Sequence, residues 1–273
     1  ALVTYTLAIV AFMFLPILSF MLASFNKSRF FSFPFQEWTS EWYVEAFSSS
    51  SVRVLAQTTV TIAVVVTVLG TVFGFAGAMA FARFPWRGQG FFQKFIVLPI
   101  FFPQAVLGLA LLLWFNTLSI QPSWQTAVLA HLVWVVPVVT LIISIQVYAF
   151  DDDLEAAARD LGASRWQTFR EITFPILFPA IRTGAIFAFL LSWLNFPLSL
   201  FTTGADSTLP VWIYAKMTSG YTPLVPALGT LTIIIPIMLV ITLVLVVLLY
   251  RSLRTMRWSP RPKSVESVRV DLQ

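Results

Sequence analysis

Charge is missing from five long stretches of this chain: residues 1–26, 54–82, 95–150, 183–205 and 226–250 hold no Asp, Glu, Lys or Arg. A helix needs about 20 apolar residues to cross the hydrocarbon core of a bilayer, where the backbone must satisfy its own hydrogen bonds. The 95–150 run is too long for one span and suits two, divided by Asn116 to Trp124 with Pro122. Six spans result, near 2–25, 54–82, 95–117, 124–149, 181–203 and 226–250, followed by a basic tail at 251–273. With 58% hydrophobic and 11% charged residues, the chain has too little polar surface to coat a soluble domain of 273 residues. The expected fold class is an all-α integral membrane protein with six transmembrane helices. The lack of cysteine excludes disulfides and thiolate metal sites. The chain opens on Ala1 with no initiator methionine, so a short preceding segment is expected, and its start is too long and uncharged for a signal peptide.

Small residues recur every four positions in the second span, at Gly70, Gly74, Ala78 and Ala82, forming a stripe on which another helix can lie closely. Pro99 and Pro103 make the third span irregular, because proline removes a backbone donor and clashes with the carbonyl four residues back. Trp38, Trp42, Tyr43 and Phe47 suit a short amphipathic helix in an aromatic belt at the membrane surface. Residues 206–225, rich in Thr, Ser, Gly and Pro, read as a loop outside the membrane. Gln104, His131, Trp193 and Asn195 are polar or aromatic groups at membrane depth and hence candidates for a solute pathway, with a plain interhelical hydrogen bond as the competing role. His131 is the only histidine and has no ligand-type neighbours, which favours packing or hydrogen bonding over metal binding.

The densest charge lies between spans four and five, at residues 151–175. Asp151, Asp152 and Asp153 suit the positive end of a helix dipole. A first short helix over Leu154 to Leu161 should stop at Gly162, because glycine enters the left-handed conformation without steric cost. Ser164 and Gln167 have capping-box spacing, so a second helix should carry Trp166, Phe169 and Ile172, limited by Pro175. The expectation is helix, tight turn, helix, with an apolar face that has nothing to cover in its own loop.

These residues resemble the inner-membrane permease subunits of ATP-binding-cassette (ABC) importers. That family carries Glu-Ala-Ala, three residues, Gly, nine residues, Ile, one residue, Leu-Pro in a cytoplasmic loop. Counted from Gly162, the residues Ala157, Ala158, Gly162, Ile172 and Pro175 match; the glutamate position is Ala156, with Glu155 one place early, and the leucine position is Phe174. The surrounding LGAS, LAH at Leu129 to His131 and TLP at Thr208 to Pro210 look most like polyamine (spermidine/putrescine)-type permeases. The resemblance implies the type I importer permease fold. It also implies ATPase-coupling roles for Glu155, Ala156, Ala157, Ala158, Asp160, Gly162, Ala163, Ser164, Trp166, Phe169, Ile172 and Pro175. Its partners would be a dimer of ATPase subunits holding ATP and Mg, a second homologous permease, an extracytoplasmic substrate-binding protein and membrane lipid. The chain itself would bind no cofactor and no nucleic acid. Polyamine-transporting relatives tend to have acidic residues near the place of Trp193 to Asn195; their absence here counts against a polyamine cargo unless the companion permease supplies them.

Orientation follows from the positive-inside rule. Three Lys or Arg lie in 83–94, four in 151–182 and six in the tail, thirteen of the seventeen, so those segments are expected in the cytoplasm of a bacterial cell, with the C-terminus. No phosphate-cradling glycine loop with its lysine appears, and no serine with a plausible base, so catalysis by this chain is not expected. Apart from Arg182 at the edge of the fifth, no predicted span holds an acid, lysine or arginine, and none holds a buried one of the kind that ion-coupled secondary transporters commonly use. A polyamine or related small organic solute is the expected cargo; iron, sulfate, phosphonate, thiamine or an amino-acid-like solute is the alternative, and ATP-independent transport a more distant one.

Overall fold

The computed structural model describes residues 2–28 and 37–256, with side chains through Leu249. Helices α1 (Leu2–Ala23), α2 (Glu41–Ser48), α3 (Ser50–Ala82), α4 (Gln89–Ile96), α5 (Leu98–Phe101), α6 (Gln104–Thr117) and α7 (Trp124–Tyr148) form the first part. After them come α8 (Asp153–Asp160), α9 (Arg165–Thr168), a π turn (Phe169–Thr173), α10 (Phe174–Trp193), α11 (Phe196–Thr202), α12 (Leu209–Ser219) and α13 (Leu224–Met256). Among the described residues the only strand-like pairing is one antiparallel bridge, Asn26 with Trp38.

Among the described residues five helices are long and apolar enough to cross a membrane: α1, α3, α7, Arg165–Trp193 and α13 to Leu249. A sixth crossing requires the bent pair Gln89–Phe101 and Gln104–Thr117, which turns through 104°. The third expected span is therefore broken. Pro103 is the cause: the residue before a proline is pushed out of the helical region, and Phe102 is extended.

The core is a three-helix wedge of α3, α7 and α10, in which Ile62, Val66, Val135, Val139, Ile143 and Leu177 are all but fully buried. The small-residue stripe is where α3 meets α7, since a Cβ on Gly70 would stand 3.3 Å from Val135. Gly184 of α10 does the same on the other side, 3.0 Å from Val139.

Three expectations change. The fifth span starts in the loop and ends at Trp193, and the residues up to Thr202 form the separate α11. Residues 206–225 hold α12 rather than an irregular loop, because Thr59 on α3 accepts the Leu209 N–H at 2.9 Å and Leu209 is buried with Val52 and Leu55. Helix α13 runs to Met256, six residues into the expected tail; residues 257–273, like 29–36 of the aromatic segment, lie outside the described residues. The aromatic segment does contain α2, whose Trp42 indole donates to the Asn26 carbonyl at 2.9 Å.

By compactness the chain divides after Ile233. The first unit holds α1 to α12 and the start of α13. Among the described residues, the second unit, from Ile234, is the remainder of α13, with Ile237, Met238, Leu245 and Leu249 exposed.

Candidate functional site

The loop between α7 and α10 is built from local signals that the sequence carries openly. α8 ends where Gly162 takes φ +88, with the Gly162 and Ala163 N–H groups returning to Arg159 O and Ala158 O at 2.9 and 3.0 Å. The capping box forms: Ser164 Oγ accepts the Gln167 N–H at 3.3 Å, and Gln167 Oε1 accepts the Ser164 N–H at 2.8 Å. The second helix is a single turn, however, and Pro175 does not limit it. In the π turn the Phe174 N–H bonds to Phe169 O, five residues back. A turn wider by one residue lets the chain pass a proline that would otherwise meet the carbonyl four residues before it. Loop and span are thus one continuous helix from Arg165 to Trp193.

The residues implicated by resemblance separate into two faces. Outward lie Ala156, Ala157, Asp160, Gly162, Ser164 and Trp166, the last 66% exposed. Leu161, 90% exposed at the tip, belongs with them. Sequence reasoning missed it, although an apolar residue beside a helix-ending glycine was the available signal. Inward lie Ala158, which is buried, and the half-buried Ala163, Phe169 and Ile172; Pro175 is exposed farther along, where α10 begins. Phe169 is not a partner of Trp166 in projection: it stacks beneath it at 5.7 Å while also meeting Phe75 and Phe174 of the spans.

Glu155 also faces inward. Its Oε2 pairs with Arg83 Nη2 at 2.8 Å, and its Oε1 accepts a hydrogen bond from Thr173 Oγ1. Arg83, just past the end of α3, also reaches Asp152 at 3.1 Å and lies over the Phe150 ring at 4.6 Å. A cleft of about 300 Å³ opens behind the loop, lined by Arg83, Phe84, Glu155, Arg159, Arg165 and Thr173 among others. Arg83 and Thr173 were invisible to sequence reasoning because their partner is distant in the chain.

The four pathway candidates do not gather into one site. His131 is buried between two serines, Nδ1 2.9 Å from Ser192 Oγ and Nε2 3.0 Å from Ser199 Oγ. Ser199 spends its own proton on Asn195 O at 2.6 Å, so Nε2 must carry the imidazole hydrogen and Nδ1 must accept from Ser192. Asn195 is buried in the gap between α10 and α11, where its Oδ1 caps α11 by accepting the Leu198 N–H at 3.1 Å. Trp193, also buried, donates its indole N–H to Thr232 O at 2.9 Å. Three of the four are therefore committed to internal bonds around one helix break. Gln104 stands apart, half-buried at the start of α6. Among the described residues no group of His, Asp or Glu is arranged to hold a metal ion.

A bundle of apolar helices, five of them long enough to cross a bilayer, with a capped and exposed loop between two of them is the architecture of a multi-pass membrane protein. The family described as "Binding-protein-dependent transport system inner membrane component" matches residues 70–257, and the chain belongs to it, as a permease subunit of an ABC importer. The chain is 32% identical over 235 residues to the spermidine/putrescine transport system permease protein PotC of Escherichia coli K12, covering 86% of this chain and 89% of PotC. It is 31% identical to the putrescine transport system permease protein PotI of the same organism, covering 81% of each. A bacterial ABC transporter involved in alginate import shares the fold, with a TM-score of 0.67 at 18% identity over 89% of this chain and 94% of that one. The expected type I importer permease fold is the one observed.

Proposed function

We propose that this subunit imports a polyamine or related small organic solute, driven by an ATPase pair that grips the 151–175 loop. The observation that carries the coupling is the exposure of Leu161 and Trp166 on a loop whose backbone is already fixed by the Gly162 turn and the capping box. Rigid apolar side chains on a preorganised support are what a protein interface uses as its centre. The polyamine class is supported by the two relatives named above.

In this reading ATP and Mg stay on the ATPase subunits, a second homologous permease completes the pathway, and an extracytoplasmic binding protein delivers the solute. The 83–94 and 151–182 loops and the C-terminus face the cytoplasm of the bacterial inner membrane. ATP closing the ATPase pair must favour one arrangement of the helices by roughly 5 kcal/mol to swing the population almost fully.

The test is reconstitution of the complex in proteoliposomes with its loaded binding protein. ATP-dependent uptake of spermidine or putrescine, with no hydrolysis by the permease alone, is expected. Uptake without ATP would make the chain a secondary transporter, and ATP-driven uptake that polyamines fail to compete with would replace the solute class.

A further inference from the structure

We propose that Arg83 and Glu155 are a positioning pair that carries movement of the loop into the membrane helices; the proposal rests on the coupling function above. One carboxylate joins three segments. Glu155 belongs to α8, Arg83 to the end of α3, and Thr173 to the π turn that leads into α10. The other end of the linkage is equally fixed, since α3 and α10 pack on each other and on α7 through the largest buried cluster.

Apolar contact links the second loop helix to the spans through Phe169, which meets Phe75 and Phe174, but it gives α8 little connection of its own. Ala158 is the one buried side chain of α8, and a methyl group offers little grip on a neighbouring helix. The ion pair is suited to the task because it is mostly withdrawn from water: the Arg83 and Glu155 side chains are 11% and 19% exposed, whereas that of Asp152 is 81% exposed. A pair at this depth is stiff and strongly destabilised by loss of one member, while an exposed pair is screened and weak. Phe150 beneath the guanidinium holds it in place. A push on Leu161 at the end of α8 then displaces that helix, and the bridge passes the displacement to α3 and α10 together, whereas Trp166 acts on α10 through the continuous helix that carries both.

The test compares Glu155→Gln, Arg83→Gln and Trp166→Ala in the full transporter complex. For each, ATPase co-purification, hydrolysis stimulated by the binding protein, and solute imported per ATP are measured in the same proteoliposomes. Glu155→Gln and Arg83→Gln should keep the ATPase and its hydrolysis while solute per ATP falls about tenfold, within the usual range of coupling between sites. The exchanged pair R83E/E155R should recover more of that ratio than R83E or E155R alone. If Arg83→Gln fails to accumulate, Glu155→Gln, which keeps an oxygen for Thr173, decides alone. A normal ratio in the Gln variants overturns the proposal. So does loss of the ATPase from Glu155→Gln, which would place Glu155 on the docking face. Failure of the coupling function itself looks different: Trp166→Ala would then retain the ATPase.

Discussion

Helix α10 departs from regular geometry at both ends, by a widened turn at one and a break at the other, and the two are opposites. At the loop end, the π turn leads back to a surface where Leu161 and Trp166 project outward and Arg165 and Asp160 are exposed. At the other end, the gap at Leu194 and Asn195 is filled with polar groups that are buried and hydrogen-bonded to each other. Residue chemistry would assign them the other way round, with polar groups at membrane depth lining a route and apolar groups filling a core. Partnering decides instead. Groups whose bonds are complete hold the structure, and groups left without a partner are available to another molecule.

The comparison can be broken from either side. The largest effect is expected for His131→Ala, which removes the ring between Ser192 and Ser199 and leaves a cavity with two hydroxyls short of a partner. The loss should be about 3 kcal/mol, read as a lower Tm in nanodiscs with normal ATPase binding by the folded fraction. A His131→Ala protein of normal Tm but altered solute uptake would turn the helix break into part of the pathway.

Trp166→Ala should show the reverse pattern. Assembly with the ATPase weakens by about 2 kcal/mol, a hot-spot loss, while the Tm of the isolated permease is unchanged. Pull-down at graded ATPase concentrations measures it.

Gly162→Val comes next. Beyond Gly162 and its two chain neighbours no atom lies within 4 Å of where a Cβ would stand, so the cost is the left-handed backbone alone, about 1–2 kcal/mol. Gly162→Asn, which tolerates that conformation, should recover most of the assembly lost. If both behave as Trp166→Ala does, the glycine is needed for contact and not for its φ.

The smallest effect belongs to Ser164→Ala, which removes half the capping box at a cost of about 1 kcal/mol. Faster amide exchange at Gln167, with α8 unaffected, is the expected signature. It would sharpen the view that the loop is rigid before any partner arrives.

The sequence by itself determined whatever depends on neighbours within a turn or two. The apolar runs set five long helices and the interrupted third span, Gly162 set the turn, and Ser164 with Gln167 set the cap, because hydropathy and short-range hydrogen bonds leave their marks locally. Pro175 misled for a local reason too, since a proline ends a helix only when the preceding turn keeps its ordinary width. Only the tertiary structure decided which side each loop residue faces. Glu155 turns inward because Arg83 and Thr173 wait there, α12 is helical because Thr59 on α3 receives its first N–H, and His131 is closed off by serines 61 and 68 residues away. Such partners are adjacent in space through the packing of α3, α7 and α10, and adjacency of that kind has no period or spacing to read along the chain.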